Sequence, residues 1–195
     1  MNIKTLLANN RKWAFSIKRK NPNFFSKLSH LQKPDFFWIG CSDSRVPANE
    51  IIGLLPGDLF VHRNVANMVY FNYRNCLSAL YYAIEVLKVK YVIVCGHYVC
   101  GGVKAVIESK RLGPVGSWLK DIRAILKRHL PEIKMLKTKP QCIDRLCELN
   151  VLQQAENLCK IKFVRDALRK RRLKGVYAWV YSLRDGLIRE LKTYK

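Results

Sequence analysis

Tyr91-Val92-Ile93-Val94-Cys95 runs five residues without a polar interruption. An unbroken β-rich stretch of this length suits a strand buried on both faces of a parallel sheet, where alternation is lost. Working outward, Phe36-Phe37-Trp38-Ile39-Gly40 and Leu59-Phe60-Val61 are short apolar runs bounded by turn or polar residues, and Gly175 to Tyr181 is a third. Each reads as a strand. Between them, Leu77, Leu80, Tyr81, Ile84 and Leu87 recur at helical spacing. Further helices are expected at about 115–129 and about 142–172, interrupted by Pro131 and Pro140, with a short closing helix from Asp185 onward. Strands alternating with helices imply an α/β fold: a mainly parallel central sheet flanked by helices.

The bulk properties agree. The chain has 195 residues, about 1.3 typical domains, so one domain over 1–195 is expected. Such a chain buries roughly 70% of its unfolded surface and needs no disulfide or metal to fold. A hydrophobic content of 49% excludes disorder, and 10 Gly with 7 Pro exclude a fibrous or linker-like protein. No apolar run of about 18 residues occurs, so no membrane-spanning helix is expected. Lys and Arg total 36 against 14 Asp and Glu, a net charge of +22. A surplus of this size attracts polyanions non-specifically, but the cations are spread along the chain rather than striped, which is how a solvated basic surface looks.

Residues 1–34 hold no acid, and Ile3, Leu7, Asn10, Ala14 and Ile17 recur at three- and four-residue steps. A helix is expected up to Asn21-Pro22. Its basic, amphipathic character fits a transit peptide or a membrane-surface helix, but a packing helix is the plainer reading, an arm over about 1–30 that reaches a partner subunit. No secretory core of continuous apolar residues is present, and the seven cysteines are odd in number. A reducing compartment, and so a cytoplasmic location, is expected.

Two segments carry chemistry. Cys41-Ser42-Asp43-Ser44-Arg45-Val46-Pro47 directly follows one strand, and Gly96-His97-Tyr98-Val99-Cys100-Gly101-Gly102 directly follows another. In a parallel sheet, functional groups gather beyond the carboxyl ends of the strands. If the two strands are neighbours, Cys41, His97 and Cys100 converge. Two thiolates and an imidazole are a zinc set one short of four, as in a catalytic site with an open position. Cys41 as the nucleophile of a phosphate-cradling loop is the competing use, but Arg45 follows at only four positions with no glycine between, too tight a turn for that cradle. Asp43 and Arg45 lie two apart and can pair in an extended turn. The pair would hold the carboxylate off the metal; broken, it would free Asp43 to fill the fourth position and shut the site.

Taken together, Cys41-Ser-Asp-Ser-Arg45, Phe60-Val-His-Arg63-Asn64-Val-Ala-Asn67, Gly96-His97-x-x-Cys100-Gly101-Gly102, Leu146-Cys-Glu-Leu-Asn150-Val and Ala178-Trp-Val-Tyr181 resemble the β-class carbonic anhydrases over about 30–190. The resemblance implies one Zn²⁺ per chain on Cys41, His97 and Cys100, with Asp43 as an alternative ligand governed by Arg45. The implied reaction is the reversible hydration of carbon dioxide to bicarbonate and a proton. Two thiolates cancel the charge of Zn²⁺, so activity is expected to rise on the alkaline side of neutrality. The same likeness puts Gln32, Phe60, Val65, Tyr82 and the Gly101 N–H around a small carbon dioxide pocket, partly at a dimer interface. It also puts Trp38, Arg63 and Tyr181 at a bicarbonate site away from zinc, where the anion favours the closed state. That feature belongs to a bicarbonate-regulated, bacterial-type subgroup. A homodimer or dimer of dimers is implied, with no specific nucleic acid as partner. Two rivals remain: the same zinc site acting on carbon disulfide or carbonyl sulfide, and a basic zinc-stabilised nucleic-acid-binding module using Arg169-Lys170-Arg171-Arg172.

Overall fold

The computed structural model describes residues 2–70, 74–110 and 112–195. They fall into two compact units, Met1–Lys33 and Pro34–Lys195. In the first, helix α1 (Ile3–Lys20) is capped by Asn2, whose side chain accepts the Thr5 N–H at 3.0 Å. Lys18, Arg19 and Lys20 sit in its last turn, where cations favour the negative end of the helix dipole. It ends at Asn21, as the Asn21-Pro22 signal predicts, and α2 (Phe24–His30) follows.

The second unit is built on a five-stranded sheet: β1 (Phe36–Cys41), β2 (Leu59–Asn64), β3 (Tyr91–His97), β4 (Gly175–Tyr181) and β5 (Ile188–Tyr194), ordered β2-β1-β3-β4-β5. The first four are parallel. The four strands expected from apolar runs are therefore present, each extended by up to three residues. Short helix α3 (Ala48–Ile51) lies between β1 and β2. A single 3₁₀ turn (Val65–Asn67) follows β2, and then α4 (Arg74–Tyr81), whose last turns widen to π geometry over Tyr82–Val86. After β3 come α5 (Gly101–Ile107), α6 (Pro114–Trp118), α7 (Lys120–Arg128), α8 (Leu130–Lys134), the long α9 (Lys139–Lys160) and α10 (Lys162–Arg169).

Alternation along the strands feeds both faces. Phe37, Ile39, Val92, Val94, Val176 and Ala178 are buried together with Val151, Ala155 and Leu158 of α9. Each large side chain there contributes roughly 1.5–3 kcal/mol of transfer free energy. The opposite face carries Trp38, Ile93 and Cys95 beside Tyr177, Trp179 and Tyr181. A third cluster, beyond the carboxyl ends, gathers Cys41, Cys100, Val103, Ile122, Leu146 and Cys147. Two glycines are dictated by close approach. A Cβ on Gly96 would stand 2.4 Å from Val151 Cγ2, and one on Gly40 would stand 2.3 Å from Trp38 Nε1.

Three expectations need correction. No helix closes the chain: residues 188–194 form β5, antiparallel to β4 with a register shift at Ala178/Trp179. Gly186 (φ +72°) and the Asp185 carboxylate, which accepts the Leu187 N–H, turn the chain back, and the Ser182 N–H donates to the Leu187 carbonyl. Pairing with the open edge of β4 then outweighs the modest helix preference of Glu190, Leu191 and Lys192. Pro131 and Pro140 do not interrupt helices; they sit in the first turns of α8 and α9, where the missing N–H costs nothing. The stretch expected at 142–172 is two helices, broken at Ile161, whose backbone is extended.

Candidate metal centre

Strand order places the site. The connection after β1 leads to β2 on one side, whereas β3 leads to β4 on the other. The loops after β1 and β3 therefore part from each other and leave a crevice at this switch point. Gly40 pairs with Cys95 across these strands, so the ends at Cys41 and His97 are neighbours, as the zinc reading requires. Val99 turns the chain through a left-handed conformation (φ +58°), which brings Cys100 back toward His97.

Cys41, His97 and Cys100 are all buried, and their ligand atoms lie within 4.8 Å of one another. The two sulfurs are 4.0 Å apart; tetrahedral ligation at about 2.3 Å calls for about 3.8 Å. His97 Nδ1 is 3.0 Å from the Tyr98 carbonyl oxygen, which can only accept, so Nδ1 carries the proton and Nε2 offers its lone pair. That Nε2 is buried with no hydrogen-bond partner. A soft, two-sulfur, one-nitrogen set with an orphaned imidazole nitrogen fits a zinc ion. The thiols already share a proton unequally. Hydrogen bonding from Cys100 and from backbone groups of Asp43 and Ala66 holds Cys41 down to about 4 against the opposing effect of burial. The hydrogen bond to Cys41 and then burial push Cys100 well up.

Asp43 stands beside this trio. Its Oδ1 accepts from Arg45 Nε at 2.9 Å and from the Arg45 backbone N–H at 3.0 Å, and its Oδ2 accepts from Arg45 Nη2 at 2.7 Å. The Arg45 fork holds the carboxyl well below the usual carboxylate range. Oδ2 remains 3.6 Å from His97 Nε2, close to the cluster without entering it.

The other expected residues separate into groups. Trp38, Arg63 and Tyr181 lie on one side of the sheet: Arg63 is in register with Gly40, two residues beyond Trp38, and Tyr181 is in register with His97. Arg63 donates from Nε to the Cys41 carbonyl (2.9 Å) and from Nη2 to the Asp43 carbonyl (2.6 Å). Phe60 packs against Tyr82 with ring centroids 5.9 Å apart. Val65, whose carbonyl accepts from Trp118 Nε1 at 2.8 Å, flanks Gly102. Gly101 is the exposed first residue of α5. Gln32 is exposed and belongs to the 1–33 unit. The basic run at the end of α10 and just beyond it is partly spent on acids: Arg169 pairs with Asp166, and Arg172 with Glu85. Cys76, Cys147 and Cys159 are pushed up to about 11, 12 and 11 by burial, and Cys95 further still, as expected of packing residues.

Comparison with known proteins agrees with this arrangement. The carbonic anhydrase family model matches residues 36–188. A carbonic anhydrase of Emericella nidulans is 41% identical over 186 residues, covering 95% of this chain and 82% of that one. One of two tetrameric β-carbonic anhydrases solved from the filamentous ascomycete Sordaria macrospora superposes with a TM-score of 0.95 at 34% identity, covering 98% of each chain.

This chain belongs to the β-class carbonic anhydrases.

A Coccomyxa β-carbonic anhydrase, solved in complex with acetazolamide, is 36% identical with a TM-score of 0.93 over 99% of this chain and 88% of that one. Within the family frame, the residues to which the sequence motifs gave no role are the ones that brace the cluster. The Ala66 N–H lies 3.4 Å from Cys41 Sγ. Asp144 accepts the Val99 N–H at 3.4 Å and Arg184 at 2.6 Å, and Glu148 accepts the Tyr98 hydroxyl at 2.7 Å. Ala66 and Glu148 stand inside two of the motifs quoted above, and Asp144 lies one helical turn before Glu148 on α9.

Proposed function

We propose that Cys41, His97 and Cys100 hold the zinc ion, and that Asp43, restrained by Arg45, controls the metal's remaining position. The activity itself is zinc-dependent reversible hydration of carbon dioxide. The observation that carries the assignment of roles is the convergence of three buried ligand atoms beside one carboxylate that an arginine restrains at both oxygens. Zinc at this site supplies the Lewis acidity that makes a nucleophile of water near neutral pH.

The chain's own residues then do four things. Two thiolates and an imidazole, fixed by the Tyr98 carbonyl, set the charge and geometry of the ligand field. Asp43 accepts hydrogen bonds and donates none while ionised, so it can orient a proton on a neighbouring water. Arg45 keeps that carboxylate, 3.6 Å from His97 Nε2, from entering the cluster. Val65, Gly101 and the Phe60–Tyr82 pair are the candidates for a small apolar pocket suited to carbon dioxide.

Regulation by bicarbonate belongs to the same reading. Arg63 grips the carbonyls of Cys41 and Asp43, so an anion drawn to its guanidinium beside Trp38 and Tyr181 would loosen the turn that carries Asp43. Such an anion would favour the state in which Asp43 ligates the metal, most at low pH. A dimer or dimer of dimers is supported by the tetrameric Sordaria relatives. A reducing, cytoplasmic setting is supported by seven cysteines that are all free; no helix among the described residues is long and apolar enough to cross a membrane. Hydration rates of wild type and Asp43→Ala, both zinc-loaded, test the assignment. A large loss with zinc retained is expected, and an unchanged rate would remove Asp43 from the site.

A further inference from the structure

Asn150, Gln154 and Asn157 recur at i, i+4 and i+7 along α9, facing the segment 65–69 that follows β2. Asn150 and Gln154 are each only 1% exposed, and an amide is placed there without penalty only if its hydrogen bonds are made. They are made. The Val69 N–H donates to Gln154 Oε1 at 2.9 Å, Gln154 Nε2 donates to Asn150 Oδ1 at 2.9 Å, and Asn150 Nδ2 donates to the Ala66 carbonyl at 3.0 Å. Asn157 Nδ2 donates to the Val69 carbonyl at 3.4 Å and to Gln154 Oε1 at 3.3 Å, and Gln153 Nε2 holds Asn157 Oδ1 at 3.0 Å. Both ends fix the direction of the ladder, because a backbone N–H only donates and a carbonyl only accepts.

What the ladder grips is strained. Ala66 and Asn67 have φ of +63° and +49°, a region that an alanine enters only when its surroundings compel it. From the other side, Asn64 Oδ1 accepts the Met68 N–H and Asn64 Nδ2 donates to the Met68 carbonyl. The result of this clamping is that the Ala66 N–H is aimed at Cys41 Sγ.

We propose that Asn150 and Gln154 are positioning residues for the metal centre: they lock Ala66 in the left-handed turn that presents its N–H to the Cys41 thiolate, and so set how strongly that sulfur donates to zinc. The inference rests on the reading of Cys41 as a zinc ligand. A hydrogen bond draws charge from the sulfur, which leaves the metal more electron-poor and water near it more acidic. Releasing Ala66 reverses both effects. A ladder that served only as a core brace would change folding stability and leave the thiolate untouched.

The test uses the full-length protein with cobalt(II) in place of zinc, because the thiolate-to-cobalt charge-transfer bands report on the sulfur directly. In Asn150→Ala we expect the bands to move to lower energy, metal loss to a chelator to change on the order of 10-fold, and the pH midpoint of the zinc enzyme to move up. Asn157→Ala, at the half-buried end of the ladder, should give a smaller shift in the same direction and carries the test if Asn150→Ala does not fold. Wild-type bands in whichever variant folds, with only the melting temperature lowered, would overturn the proposal. A wild-type protein that takes up no cobalt would overturn it together with the zinc assignment. Thiolate bands in a protein that does not hydrate carbon dioxide would leave this proposal to be judged on the band shift while sinking the functional reading.

Discussion

Arg45 holds Asp43 through both carboxylate oxygens, at 2.9 Å from Nε and 2.7 Å from Nη2, within a turn that begins at Cys41, one of the three proposed metal ligands. The pair keeps a potential fourth ligand poised 3.6 Å from His97. Its pH behaviour follows from the direction of the shift. Asp43 titrates well below its unfolded value near 3.9, so its contribution to stability is complete above about pH 4 and is lost as the pH falls toward the lower folded value. In chemical denaturation of the metal-free protein, the stability gap between wild type and Asp43→Asn should be constant from pH 5 to 7 and shrink below about pH 4. A gap that widens in acid would contradict the pairing.

The cysteines should differ sharply in reactivity. In metal-free protein Cys41 titrates near 4, whereas burial raises Cys147 to about 12 and Cys95 beyond that. Thiolates are the reactive form. Iodoacetamide at pH 6 should label Cys41 first, leave Cys95 and Cys147 unmodified, and label nothing in this group once zinc is bound. Mass spectrometry of the labelled peptides reads the order; equal labelling of Cys41 and Cys147 would contradict it.

Gly96→Ala should cost about 1–3 kcal/mol of stability, because the new methyl group meets Val151 Cγ2 at 2.4 Å. The clash also displaces the strand end that presents His97, so zinc retention should fall with it. Adding Val151→Ala should recover zinc retention and part of the stability. A double variant no better than the single one would place the strain elsewhere.

Arg63 connects a sheet face to the turn that carries Asp43. Under the proposed regulation, bicarbonate should inhibit wild type more strongly as the pH falls, and Arg63→Gln should lose most of that inhibition. Initial rates at fixed carbon dioxide with added bicarbonate decide the matter. Inhibition unchanged in the variant would free the Trp38, Arg63 and Tyr181 group from any such role.

Legibility in the sequence tracks burial. The runs at 36–40, 91–95 and 175–181 were readable because strands covered on both faces leave no polar gaps, whereas 59–61, on the edge strand, showed only as three apolar residues ahead of an alternating, half-exposed end. Strand β5 was not readable. Its Ile188-Arg-Glu-Leu-Lys-Thr-Tyr194 is half exposed and rich in helix formers, and only the open edge of β4 makes it extended. Cys41, His97 and Cys100 could be found because each sits at or just beyond a strand end and two such ends must be neighbours for the site to exist. The amide ladder was invisible for the opposite reason. Asn150 meets Ala66 across 84 positions, and nothing local to either residue announces the other.

The zinc-dependent chemistry stands or falls on stopped-flow hydration of carbon dioxide by protein carrying one zinc per chain, scanned from pH 6 to 9. Rapid hydration that rises on the alkaline side, vanishes on removal of zinc by a chelator, and is absent in Cys41→Ala is the expected result. Protein with zinc confirmed at one per chain and no hydration at any pH would contradict it.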